Sequence, residues 1–169
     1  MLFIKKLLYL FIIFAVSSLI AQAEFDFQSI KAYKTIFTDH KPPEHTREGE
    51  AVSLNQRDAT IAVRSFYPYD PLVLGVVVKD SLGVERIAVG GEVDVLVDRS
   101  VQKIAPGEWI VTSGSIGRVM PLEDDFPLRA AVLGISLEPW NSADSSESVR
   151  IMLTPGEKIT PKGRIESYK

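Results

Sequence analysis

From Glu50 to Leu153 the chain reads as a series of short apolar runs: EAVSL, ATIAV, PLVLGVVV, ERIAV, EVDVLVD, EWIVT, GRVM, RAAVLGISL and SVRIML. Gly, Pro, Asp and Ser separate them. Val and Ile dominate, and VDVLVD and VRIML alternate with a period of two, which sends successive side chains to opposite faces of a sheet. No apolar segment of about ten residues or more has helical spacing. A chain punctuated in this way can bury its apolar side chains only by pairing strands, so the expected fold class is all-β.

The pattern occurs twice. Gly49-Glu50 answers to Gly107-Glu108 and Val52 to Ile110 at an offset of 58, and Ile61 to Val119 at the same offset. Tyr67-Pro68 answers to Phe126-Pro127, and Val73 to Val76 answer to Val132 to Ile135, both at 59. Val93, Val95 and Val97 answer to Val149, Ile151 and Leu153 at 56. Each half is too short to bury a core alone, and a solenoid needs at least about three repeats. The expectation is therefore one compact barrel with a pseudo-two-fold internal duplication, residues 47–97 and 105–153. Closing two half-sheets on each other removes exposed strand edges. Gly49 and Gly107 suit turns with positive φ ahead of a strand. Gly75 and Gly134, inside strands, suit a bulge or a bend.

The flanks read differently. The chain opens MLFIKKLLYLFIIFAVSSLIAQA: Lys5 and Lys6, an uncharged run from Leu7 to Ile20, then Ala21-Gln22-Ala23. This order is that of a secretory signal peptide, and the run is short for a membrane span of roughly 20 residues. Residues 1–23 are expected to be removed, giving a secreted or periplasmic protein. Residues 24–46 form an N-terminal segment and a polar linker with Pro42-Pro43, residues 47–155 the barrel, and residues 156–169 a polar tail. The absence of cysteine excludes a disulfide framework, a thiol nucleophile and a Cys-ligated metal. A net charge of −3 with no basic stripe argues against a nucleic-acid partner.

Side chains that carry chemistry are sparse. His40 and His45 stand in the Pro-rich linker with no third ligand spaced to join them, so no metal and no cofactor is expected. Glu123-Asp124-Asp125 lacks calcium-loop spacing and reads as an acidic loop tip. Asp94 and Asp98 alternate with valines and read as the outward face of a strand. Ser115 lacks the first glycine of a nucleophile elbow, and Lys103 is its only conceivable base. No catalytic residue is assigned, since a serine hydroxyl attacks only when a positioned base takes its proton. The aromatics Phe66, Tyr67, Tyr69, Trp109, Phe126 and Trp140 are the binding candidates. They fall at loops and strand ends, where exposed rings hold sugars or partner proteins, and where they also serve to plug barrel ends.

The stretches EGEAVSL, YDPLVLGVVV, IAVGGEVDVLV, IAPGEWIVTSGSIGRVM and VLGISLEP, within Arg47 to Leu153, resemble a β-domain at the C-terminal ends of bacterial repeat-bearing surface proteins and phage tail proteins. They are also similar to the wider group of barrels whose halves each carry a Gly-Asp turn. Together with the signal-peptide pattern and the missing nucleophile–base pair, the resemblance implies an exported, non-catalytic structural or interaction module, the alternatives being a self-processing domain of the peptidase type and a carbohydrate-binding β-domain. It implies a protein or cell-surface polysaccharide partner and homo-oligomeric assembly. Some relatives are self-cleaving domains of the peptidase type, but no cleavage motif matches here. Glu50 and Glu108 stand where the family has Asp, and Glu is expected to reach the adjacent backbone less well than Asp. N-terminal sequencing of exported protein should begin at Glu24; a start at Met1 in a membrane fraction would contradict the signal-peptide reading.

Overall fold

A computed structural model describes residues 35–123 and 130–159, with side chains as far as residue 156 in the second stretch. Residues 1–34 and the stretch from 160 onward lie outside the described residues, as do Asp124, Asp125 and Phe126. Among the described residues the chain is all-β, with no helix. The strands are β1 (Ile36–Phe37), β2 (Ala51–Leu54), β3 (Ala62–Arg64), β4 (Val73–Lys79), β5 (Glu85–Leu96), β6 (Lys103–Ile104), β7 (Trp109–Thr112), β8 (Val119–Pro121), β9 (Ala130–Ser136), β10 (Trp140–Asn141) and β11 (Ser148–Ile159).

The main sheet runs β3-β2-β4-β5-β11-β9-β7-β8, with β1 added on β5; β10 and β6 form a separate pair. All strand pairs are antiparallel. The sheet curls as a half-barrel, so that β2, β4, β5, β7, β9 and β11 turn side chains into one core. Val76, Val95, Ile110, Leu133, Val149 and Ile151 belong to it, each fully buried. Alternation sends Val52, Val77 and Ile87 to the other face, where they form a smaller cluster with Ala62.

The strand order is a palindrome about the β5–β11 junction. On one side β2 pairs β3 through Val52↔Arg64, Ser53↔Val63 and Leu54↔Ala62. On the other, β7 pairs β8 through Ile110↔Pro121, Val111↔Met120 and Thr112↔Val119. Ala51↔Val76 and Val52↔Gly75 link β2 to β4, as Trp109↔Ile135 and Ile110↔Gly134 link β7 to β9. At the centre Val93↔Ile151, Asp94↔Arg150 and Val95↔Val149 join β5 to β11. Ala62, rather than Ile61, stands in the ladder where Val119 stands in its counterpart.

Each set of strands is entered through the same turn. Glu50 N–H donates to Arg47 O (3.1 Å) and Glu108 N–H to Ala105 O (3.3 Å), with Gly49 and Gly107 both at φ 85°. These are type II turns, whose third residue needs positive φ. The glutamate side chains close them: Glu50 Oε2 accepts Arg47 N–H at 3.1 Å and Glu108 Oε2 accepts Ala105 N–H at 2.9 Å. The expected loss of a side-chain cap is therefore corrected. The extra methylene of Glu lets the carboxylate reach back three residues, as in a capping box.

Two further expectations change. ERIAV and EVDVLVD are a single strand, β5. Its first part pairs β4 and its second pairs β11, with Gly91 at φ 94° where the partner changes. Asp98 is buried rather than outward. The alternation ends with β5, Leu96 and Val97 are both buried, and Asp98 turns inward to accept the Ser100 N–H at 2.9 Å.

Gly75 and Gly134 have a sharper role than a bend. A Cβ on Gly75 would lie 2.0 Å from the Ala88 carbonyl oxygen, and one on Gly134 would lie 2.3 Å from that of Met152. Backbone cannot swing away as a side-chain tip can. Gly75→Ala and Gly134→Ala should each destabilise the fold by roughly 3 kcal/mol. Gly114→Ala, where a Cβ meets nothing within 4 Å, should change stability by less than about 0.5 kcal/mol. Urea unfolding of the three variants checks this ordering.

Candidate functional site

The loop between β3 and β4, residues 65–72, carries three of the six candidate aromatics. Phe66 and Tyr67 are 47% and 50% exposed. Their ring centroids are 4.1 Å apart with planes inclined by 40°, so they form one apolar surface. Tyr69 is half-buried and sits at φ 59°, a left-handed backbone that a non-glycine residue holds at a cost of about 1 kcal/mol. Its hydroxyl donates to Glu123 Oε2 at 3.4 Å. Burial and the neighbouring Glu123 charge push the phenol pKa up.

What holds this loop comes from β7. Thr112 is fully buried. Its hydroxyl donates to Tyr67 O (2.9 Å) and accepts the Asp70 N–H (2.8 Å), while Tyr69 N–H donates to Thr112 O (3.0 Å). Asp70, also buried, accepts the Leu72 N–H on Oδ1 at 2.9 Å. The Asp-Pro pair thus makes an Asx turn leading into β4. One threonine ties residues 67, 69 and 70 beneath the rings, so the rings are presented by a fixed backbone.

A second tie lies beside it. Gly117 N–H donates to Ser65 O (2.7 Å), and Gly117 O accepts the Ala51 N–H (2.9 Å). Residues flanking β8 and β3 therefore meet. Gly117 is at φ 68°, and a Cβ there would lie 2.8 Å from Glu50 Cγ. Glu50 is 3% exposed and pairs with Arg64. The β7–β8 loop thus packs on the turn that opens β2.

A groove of about 380 Å³ runs alongside Phe66 and Tyr67. Polar Asn55, Gln56, Arg57 and Asp70 line it together with Leu54 and Val63. A cleft of about 450 Å³ against β1 carries Glu48, Glu92, Asp94 and Lys79. Asp94 there is engaged by Arg150 at 3.2 Å. Among the described residues no three His, Cys, Asp or Glu side chains converge on a metal position.

The remaining candidates do not join the aromatic loop. Trp140 is 8% exposed and donates its indole N–H to Ser146 O at 2.9 Å. It belongs to the core. Trp109 is half-buried at the start of β7, opposite Ile135. Phe126 lies outside the described residues. His40 is half-buried, with Nδ1 bonded to Thr38 Oγ1 (2.9 Å) and Nε2 to Ala59 O (3.1 Å). It links the segment after β1 to the β2–β3 loop, while His45 is exposed. Lys103 is exposed on β6 opposite Asn141. Ser115 lies in the β7–β8 loop, where its N–H donates to Ser113 Oγ at 3.1 Å.

Thr112 and Asp98 were invisible as anchors in the sequence. Threonine at a strand end is unremarkable, and its partners are more than forty residues away. Burial pushes the Asp98 carboxyl up, but the Ser100 N–H and the Ser115, Ser113 and Ser100 hydroxyls more than offset this, holding it below the usual carboxylate range.

Comparison with protein-family models, with curated proteins and with solved structures returned no match.

A carboxyl with a depressed folded-state pKa stabilises the fold above its unfolded pKa, near 4, and loses that contribution as pH falls through the folded value. Asp98→Asn should therefore cost about 1–2 kcal/mol at pH 7. The gap between variant and wild type should narrow below pH 4, as thermal unfolding across pH 2–7 would register.

Proposed function

We propose that this chain is an exported, non-catalytic interaction module, and that the Phe66–Tyr67 surface is where it meets its partner, a protein or a cell-surface polysaccharide. The observation that carries the reading is the pairing of exposure with constraint. Two adjacent large rings stay half-exposed although folding favours covering them, on a loop whose backbone Thr112 fixes from another strand. A loop fixed before binding loses little conformational freedom when a partner docks. Export rests on the charged, apolar and Ala-Gln-Ala succession at the start of the sequence.

The architecture belongs to the same proposal. We read the fold as a duplicated half-barrel, closed into one barrel. Supporting this are the palindromic strand order, the matched ladders of β3-β2-β4 and β8-β7-β9, and the two glutamate-closed turns. Gly49 N–H donates to Val77 O while Val77 N–H donates to Glu50 O; Gly107, Ser136 and Glu108 repeat that exchange. The contact of Gly117 with Ser65 supports closure. On this account one copy kept its turn exposed, at Glu108, while the other buried Glu50 beneath the β7–β8 loop and acquired the clamped aromatic loop.

Retention on washed envelopes of the source cells tests the reading. The full exported chain should be retained, and the double variant Phe66→Ala/Tyr67→Ala should be released with unchanged thermal stability, since both side chains are exposed. Equal retention of wild type and double variant would remove the aromatic surface from the account.

A further inference from the structure

The groove beside the two rings has a chemical composition of its own. Its wall is aromatic, and its other polar groups come from three successive residues of the β2–β3 loop and from the loop that carries the rings. Asn55 and Gln56 supply amides, which both donate and accept. Arg57 donates only, and Asp70 accepts only. The Asn55 amide oxygen already accepts the Arg57 N–H at 2.8 Å, which leaves its NH₂ as a donor. Asp70 has Oδ1 engaged by Leu72. Arg57 and Asp70 bring opposite charges to the groove.

From this we infer that the groove takes a neutral glycan, with a sugar ring seated on the Phe66–Tyr67 surface. The inference rests on the interaction-module reading and narrows its partner to one class. A sugar presents an apolar C–H face to an aromatic ring and hydroxyls around its rim, each both donor and acceptor. The mixed donor and acceptor set matches hydroxyls. A polyanionic chain would meet the Asp70 carboxylate, and a polycation would meet Arg57. An apolar peptide anchor would have to bury the amides and the guanidinium without partners, which is costly. The backbone beneath the rings is fixed by Thr112, so the platform exists before the ligand arrives.

The same envelopes, left untreated, digested with protease or oxidised with periodate, separate the two levels of the proposal. Periodate cleaves the vicinal diols of sugars and protease removes protein. Full-length exported protein should bind untreated and protease-digested envelopes alike and lose binding to oxidised ones. Phe66→Ala and Arg57→Ala should each weaken retention roughly tenfold or more, whereas Phe66→Tyr should retain it. Leu82→Ala, which removes an exposed apolar side chain from the β4–β5 turn, should bind as wild type. Loss of binding on protease digestion with none on oxidation would overturn the glycan and leave a protein partner at the same surface. Equal losses from Leu82→Ala and Phe66→Ala would reduce the effect to apolar adhesion. No binding to untreated envelopes would overturn the interaction module itself.

Discussion

The β5–β11 ladder is the interaction on which the rest of the fold depends. Each strand brings a three-strand unit to it, β4-β2-β3 on one side and β9-β7-β8 on the other, and along the strand order of the main sheet the two units are neighbours there. Val93, Val95, Val149 and Ile151, all from this ladder, supply the middle of the shared core. On the outer face Asp94 and Arg150, directly opposite, form an exposed ion pair worth at most about 1 kcal/mol. Burial of the valines, not the surface pair, therefore carries the join. Tight approach of neighbouring strands carries it outward: at Gly75 and Gly134 the next strand's carbonyl occupies the space of a side chain. Curvature and core are thus set by where side chains are missing as much as by where they are large.

The proposed binding surface follows from what the two units do to each other. Each unit alone would leave its last turn and its loops free. Brought together, β7 lends Thr112 to the loop after β3, and the loop after β7 lends Gly117 to Ser65 and Ala51. The aromatic rings are therefore local in sequence, while their rigidity is long-range. A positive φ at Tyr69 fits this view, because strain at one residue persists only where surrounding bonds over-determine it.

The strands were legible in the sequence because Val and Ile runs bounded by Gly, Pro and Asp have few other uses. The matching V-L-G segments were legible because a glycine inside an apolar run is costly without a purpose, and both fall on equivalent ladder positions. The site was legible in part. Phe66 and Tyr67 stood out as rings in a loop, but Trp140 stood out equally and is core. A ring's exposure depends on what packs over it, and for Trp140 that is set by neighbours distant in sequence. Asp98 departs from the expected outward face because the alternation stops with β5, two residues before it. Glu50 and Glu108 cap their turns against expectation because each carboxylate meets the backbone three positions back rather than the adjacent residue. Thr112 had no local signature at all.

The proposed binding loop between β3 and β4 is held by the opposite strand unit as firmly as the sheet is held by itself. Native-state amide hydrogen exchange, followed residue by residue, measures this directly. The account predicts that the N–H groups of Tyr69, Asp70 and Gly117 exchange only with global unfolding, at the same free energy as the ladder amides of Val77 and Ser136. Exchange of those three at loop-like rates, with Val77 and Ser136 still protected, would contradict it.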